Sequence, residues 1–355
     1  MLPLSSSHCQ SAFSFLQRLL FTVGIYRNVR IVFFLSLFFF LVFTFTYRFV
    51  GNEPSWRRAG AFGAADRYAI TTLLGENTSP NGEDGYFLAT RVLTYQLLHA
   101  HETRISERNR HRIDWVVMVT AKVSQESRQQ LEKDGAIVVQ ADDVEVPTWA
   151  TTSEPRWKDV YTKLRVFQWT QYARVLFIDA DAMITRPIDG IFEDPDAKQS
   201  KPPIRDRQVP DEMPYPAKYL LLARPDNANR LAFNHAVPPD PNTPSDHLNS
   251  GFFMIEPSLE MFNHLLHVIS IEGRYDSFMP EQNLFNYVFR RDGPMPWVEL
   301  DWRWHSNFPN VQDRNAGVAS LHEKLWQGGA PELRALWDSI RKRMEDYDQG
   351  KASYK

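Results

Sequence analysis

The sequence predicts an α/β fold behind an N-terminal membrane-spanning helix, and three observations carry that reading. Strand-like and helix-like segments alternate from residue 68 onward. The apolar run Arg174–Ile178 feeds straight into Asp179-Ala180-Asp181. Residues 31–47 hold no charge and are bracketed by Arg30 and Arg48.

The uncharged run comes first in the chain. At ~1.5 Å per residue it spans roughly 26 Å, enough for a short hydrocarbon crossing. It is too long for a signal-peptide core, no small-residue cleavage site follows, and its phenylalanines would crowd a soluble interior, so it reads as an uncleaved anchor. Arg18, Arg27 and Arg30 before it nearly balance Arg48, Arg57 and Arg58 after it, so charge alone leaves the orientation open. A short tail and a large following body favour a single-pass type II arrangement. The short span suits a thin membrane of the early secretory pathway. Asn77-Thr78-Ser79 is a glycosylation sequon that fits a luminal body. Residues 1–30 then form a cytosolic tail, 31–47 the signal anchor, and 48–66, rich in Gly, Ala and Arg, a stem.

In the body, Tyr68–Leu74 is β-branched and apolar and predicts a strand, followed by a helix over 88–99 with its apolar positions on one side. A buried strand follows at 113–120, a polar helix at 124–133 opened by a Ser cap, and a short strand at 136–139. A helix over 160–171 leads into the strand Arg174–Ile178. The stretch 192–217 holds six prolines and many charges and predicts a surface insertion. Strands at 219–223 and 251–255, and helices near 259–271 and 280–290, complete the body. Residues 331–355 are charged and predict a helix on the outside.

Composition removes several classes. Forty Lys and Arg against 43 Asp and Glu leave a net charge of −3, which argues against a nucleic-acid partner. Cys9 is the single cysteine, so no intrachain disulfide or Cys/His zinc ribbon can form.

The chemistry concentrates at the end of Arg174–Ile178. Two carboxylates separated by one small residue, at the carboxyl edge of a buried strand, offer hard oxygen ligands to one divalent metal. The stretch from Tyr161 through Lys163, Gln171, Tyr172 and Arg174 to Asp179-Ala180-Asp181 resembles the heart of the glycogenin-like retaining glycosyltransferases of family 8. Asn249-Ser250-Gly251, then Pro280-Glu281-Gln282-Asn283, then Leu321-His322-Glu323-Lys324-Leu325-Trp326 agree with later motifs of that family in the same order.

The resemblance implies a GT-A fold, a Rossmann-like nucleotide-binding α/β sandwich forming a single catalytic domain over 67–330. It implies a UDP-sugar donor bound through Mn²⁺, with Asp179, Asp181 and His322 as the metal's protein ligands. Thr72 or Leu74 would line the uridine pocket and Tyr86 would stack on the base. Arg156, Lys163, Ala180 and Lys324 would face the donor, with Lys324 at the diphosphate. Asn249 and Ser250 would bond the donor sugar, with Gly251 permitting close approach, and Glu281 and Gln282 would stand near the anomeric carbon. The chain has Glu281 where the family has Asp, and fewer residues between His322 and Lys324 than the family carries.

The implied reaction moves a hexose, GlcNAc or glucose, from UDP-sugar to a glycan or glycoprotein hydroxyl with retention. Acceptor activation by the departing phosphate on the front face and double displacement both fit the residues. The anchor, together with the insertion at 192–217, points to a Golgi membrane protein resembling fungal members that extend mannose-rich glycans. A membrane-tethered binding protein on an inactive form of the fold is the alternative; the intact acids and His322 argue against it. Acceptor specificity is expected in 192–247 and around 302–307.

Overall fold

The computed structural model describes residues 67–77, 84–152, 154, 157, 159–242 and 245–350. The expected tail, anchor and stem, most of the sequon, and Arg156 lie outside the described residues. Among those described, no helix is long and apolar enough to cross a membrane.

Seven strands form the main sheet: β1 (Tyr68–Leu74), β2 (Ile113–Val119), β3 (Ile137–Gln140), β4 (Arg174–Ile178), β6 (Leu221–Pro225), β7 (Leu248–Ile255) and β8 (Val298–Glu299), in the order β3-β2-β1-β4-β7-β6-β8. The strands β3, β2, β1 and β4 run parallel, while β7 runs antiparallel to both β4 and β6. Both faces of the sheet are covered, so its strands read as near-continuous apolar runs. Along β4 the side chains alternate: Val175 and Phe177 enter one core with Phe253, Phe262 and Phe285, whereas Leu176 and Ile178 enter the other with Leu93, Leu97 and Met254.

The first of these cores packs under helices α3 (Leu259–Ser270) and α4 (Pro280–Val288), and the second under α1 (Gly85–Leu98), with α2 (Gln125–Lys133) beside β3. The caps follow local chemistry. Asp84, Ser124 and Ser258 accept from the first-turn amides of α1, α2 and α3, and Pro280 opens α4. A second sheet, β5-β10-β9, joins β5 (Ala182–Ile184), β9 (His305–Asn307) and β10 (Ser320–His322), with the short helix α5 (Val311–Asn315) between the last two.

Several expectations change. The segment expected as a helix over 160–171 is a 3₁₀ helix, Val160–Gln168. At three residues per turn, Val160 and Lys163 fall on one side, and both line the main cleft. Strand β7 begins at Leu248 rather than 251, because Leu248 and Asn249 pair with Pro225 and Arg224 across a bulge in β6. The segment 192–217 is pinned as well as exposed: the buried Glu212 carboxylate accepts from Tyr215 and Tyr287 at 2.6 Å each. The C-terminal helix α6 (Pro331–Asp348) is not wholly outside. Its Leu333, Trp337, Ile340 and Met344 are buried against Ala89 and Val92 of α1 and Met183 of β5.

Candidate active site

The sheet's carboxyl edge holds the site, and strand pairing assembles it. Asp179 directly follows β4, where its amide donates to Gly251 O at 2.8 Å. The chain turns at once, Ala182 N bonding Asp179 O at 3.1 Å, and enters β5. Antiparallel pairing of β5 with β10 sets Ala182 opposite His322, which brings a residue 141 positions on beside Asp181.

The ligand atoms of Asp179, Asp181 and His322 all lie within 4.8 Å of one another. His322 Nε2 is 2.9 Å from Asp181 Oδ1 and 3.8 Å from Asp179 Oδ2. Its Nδ1 is buried with no hydrogen-bond partner among the described residues. A Cβ on Gly251 would come within 2.7 Å of His322 Nδ1 and 2.8 Å of Asp179 Oδ2, so only glycine leaves this space open. Two carboxylates, one imidazole and a cavity kept clear by a missing Cβ fit a borderline-hard divalent ion.

Lysines balance the acids. Lys324 Nζ stands 2.9 Å from Asp181 Oδ2, and buried Lys163 Nζ stands 2.9 Å from Asp179 Oδ1 and 2.8 Å from Glu281 Oε1. Burial alone would push the Asp181 carboxyl up; the charges of His322 and Lys324 overcome this and hold it below the usual carboxylate range. Burial likewise works against charge on Lys163, and Asp179 with Glu281 reverses the effect, raising its pKa above the ordinary lysine value.

On the far side of the acids, Ser250 Oγ donates to Glu281 Oε1 at 2.9 Å and Ser250 N to Gln282 Oε1 at 3.0 Å. Gln282 Nε2 donates to Asp226 Oδ2 at 3.0 Å, and Asn307 Nδ2 to Asp226 Oδ1 at 2.8 Å. Both ends of the Gln282 carboxamide are thereby committed. Asn249 Oδ1 accepts from Gly251 N at 2.9 Å.

The acids, His322, the two lysines and the Asn249–Gly251 strand face one open cleft. It brings together Tyr86, Lys163, Asp179, Ala180, Asp181, Asn249, Ser250, Gly251, Glu281, Gln282, His322 and Lys324. Tyr86 meets Trp326 edge-on at 5.3 Å, and Lys324 Nζ lies 5.8 Å from its ring centroid. Thr72 and Leu74 are not among the residues lining the cleft. They share one face of β1 and are buried, while Leu73, on the other face, and Gly75 line the cleft. Asp226 and Asn307 do not line the cleft; they lie in the two stretches expected to set acceptor specificity, and their hold on Gln282 from behind is what the sequence did not single out.

The glycosyl transferase family 8 model matches residues 77–321. An uncharacterized protein of Schizosaccharomyces pombe is 28% identical, covering 72% of this chain and 73% of its own. Glycogenin-1 of Oryctolagus cuniculus is 29% identical over 54% of this chain and 45% of its own length, and galactinol synthase 1 of Arabidopsis thaliana 23% identical over 68% and 71%. The mixed α/β sheet carries its two acids at the end of β4. The match spans both halves of the site, from the end of β1 to the strand that carries His322, and so the chain belongs to glycosyl transferase family 8 and is a retaining glycosyltransferase.

Proposed function

We propose that the protein transfers a hexose from a UDP-sugar to a hydroxyl of a glycan acceptor, with Mn²⁺ held by Asp179, Asp181 and His322. The observation that carries this is the convergence of those three groups on a space that Gly251 keeps open. Bound there, the ion would offset charge developing on the departing diphosphate.

The chain's own residues then divide the work. Lys324 and Lys163 supply fixed positive charge on either side of the acids, with Lys324 facing the diphosphate and Lys163 holding Asp179 and Glu281 in place. Asn249, Ser250 and Glu281 read sugar hydroxyls, and Gln282, clamped between Ser250 and Asp226, presents a fixed amide near the anomeric carbon. In the transfer, the bond from the anomeric carbon to the phosphate oxygen breaks and its electron pair leaves with UDP. A bond to the acceptor oxygen forms on the same face, and the acceptor's proton passes to the departing phosphate.

Residues 31–47 are proposed as a type II anchor that places this domain in the Golgi lumen. Protease protection of the body in sealed microsomes tests that placement, and digestion without detergent would reject it. For the activity, the purified full chain is offered a panel of UDP-sugars with and without Mn²⁺, beside Asp181→Ala. Metal-dependent UDP release from one donor, lost in the variant, is expected. Silence across the panel together with no UDP binding by calorimetry would instead favour the inactive binding protein.

A further inference from the structure

Phe278 is the most exposed aromatic ring among the described residues, at 60%, yet it is held in place rather than left loose. Its amide donates to Asp276 Oδ1 at 2.9 Å, closing an Asx turn. Asn283 Nδ2 donates to Asp276 O at 2.9 Å, and Ser277 Oγ to Trp149 O at 3.1 Å, so both sides of the turn are tied to the body. The Trp157 ring meets Phe278 nearly at right angles, 5.8 Å between centroids. A single exposed phenylalanine is ordinary. One presented by a pinned turn, with an indole against it, is a built surface.

That surface continues the cleft. Trp157 lines it, and so do Met279 and Pro280, the two residues after Phe278. The order of groups along the sheet edge says what it faces. Gly75, Glu76 and Lys122 follow β1 and β2 at one end, Asp179 and Asp181 stand in the middle after β4, and Asn249–Gly251 with Glu281 and Gln282 lie at the other end by β7 and α4. A donor with its diphosphate at the middle sends its nucleoside one way and its sugar toward β7 and α4. The turn at Asp276–Met279 leads directly into α4, so Phe278 stands beside the sugar end; Trp157, two residues before the Asp159 that bonds Lys122, meets it along the cleft rim, where a second substrate must enter to reach the anomeric carbon.

We propose that Trp157 and Phe278 form the acceptor subsite and that its occupant is a pyranose ring of the acceptor, stacked on the aromatic rim. A pyranose presents apolar C–H groups on its faces and hydroxyls at its edge. A flat ring therefore takes the face while the polar floor of the cleft takes the edge. This inference rests on the transferase reading above and adds the chemistry of the second substrate and the residues that hold it.

The test uses the purified full chain with the UDP-sugar that the native protein hydrolyses. The acceptor probes are methyl glycosides of common hexoses and of their disaccharides. UDP release is read against acceptor concentration and also without acceptor, and UDP binding is followed by calorimetry. Phe278→Ala is expected to raise the acceptor KM about tenfold, the factor given by a lost contact of ~1.4 kcal/mol. Acceptor-independent UDP release and UDP binding are expected to be unchanged. Phe278→Trp restores the KM, whereas Phe278→Leu, apolar but not flat, does not. An unchanged KM in Phe278→Ala overturns the proposal, as does full restoration by leucine or an equal loss of acceptor-independent release. A native chain that neither binds UDP nor releases it removes the transferase reading itself, a result distinct from any of these.

Discussion

Lys163 Nζ lies 2.8 Å from Oε1 of Glu281, joining the 3₁₀ helix that crosses the cleft wall to the first turn of α4. Both side chains are almost fully buried, at 7% and 8% exposure, so each charge depends on the other for compensation. The same ammonium also serves Asp179. Lys163→Met is therefore expected to leave the buried Glu281 carboxylate, and the half-buried one of Asp179, without their cation and to cost ~3–5 kcal/mol in urea unfolding. Lys163→Met combined with Glu281→Gln is expected to regain part of the loss, because one of the two orphaned charges is gone. An additive double variant would show that the two residues do not form a coupled pair.

Gly251→Ala addresses the open space beside the acids. The added methyl carbon would meet the His322 ring and stand 2.8 Å from Asp179 Oδ2, so a side chain at the metal-binding end of the cleft must move. The strand itself need not unfold, because the contact is with side chains. The expected result is a fall of about 10–100-fold in Mn²⁺-dependent UDP affinity, the range seen when groups that orient metal ligands are disturbed. Calorimetric titration of UDP in the presence of Mn²⁺ reads this directly. Native affinity in the variant would mean that the space is not used by the bound pair.

The parts of the fold set by local pattern were legible in the sequence: the β-branched run of β1, the apolar β2 and β4, the Ser-capped α2 and the Pro-opened α4. The parts set by pairing between distant segments were not. The strands β5, β9 and β10 are three residues each, too short to show a period of two, and it is their register that carries His322 to Asp181. His322 and Lys324 entered through resemblance to a family motif, since no spacing along the chain links them to residues 179–181. Asp226 and Asn307 fall in stretches expected to face the acceptor, but no motif marks their hold on Gln282, which appears only when the ends of β6 and β9 meet behind the cleft. The exchange of Thr72 and Leu74 for Leu73 has another cause. Strand β1 is buried on both faces, so its composition does not tell which face turns toward the cleft.

A pH dependence of stability is expected at His235, away from the acids. Its Nε2 is 3.0 Å from Asp313 Oδ2, and its Nδ1 bonds Ala232 O at 2.6 Å. Burial disfavours the imidazolium, but the bonds to Asp313 and to the Ala232 carbonyl outweigh it, so the folded-state pKa is raised above the ordinary value. A raised histidine stabilises the fold fully below the unfolded pKa of about 6.5 and loses that contribution as pH rises through the folded value. The stability gap between the native chain and Asp313→Asn is thus expected to be widest in acid and to narrow as pH rises. His264, buried and lowered, has the opposite slope, but it is present in both proteins and cancels in the difference. Urea unfolding of both at a series of pH values measures the gap, and a gap that stays constant with pH would count against the pair.

The docking of α6 makes the last prediction. A helix with this many charges reads as a solvated appendage, yet Leu333, Trp337, Ile340 and Met344 repeat at three- and four-residue intervals and place one stripe against α1 and β5. Trp337 is 4% exposed and its ring lies 6.2 Å from that of Trp326, which in turn meets Tyr86 at the cleft. Trp337→Ala removes a large buried side chain and is expected to destabilise the protein by ~3–5 kcal/mol. It also removes the packing behind Trp326, so Tyr86 loses part of its backing and UDP affinity is expected to fall with stability. Trp337→Phe keeps most of the apolar volume and is expected to recover both. Loss of stability with unchanged UDP affinity would confine the helix to a structural role, separate from the cleft.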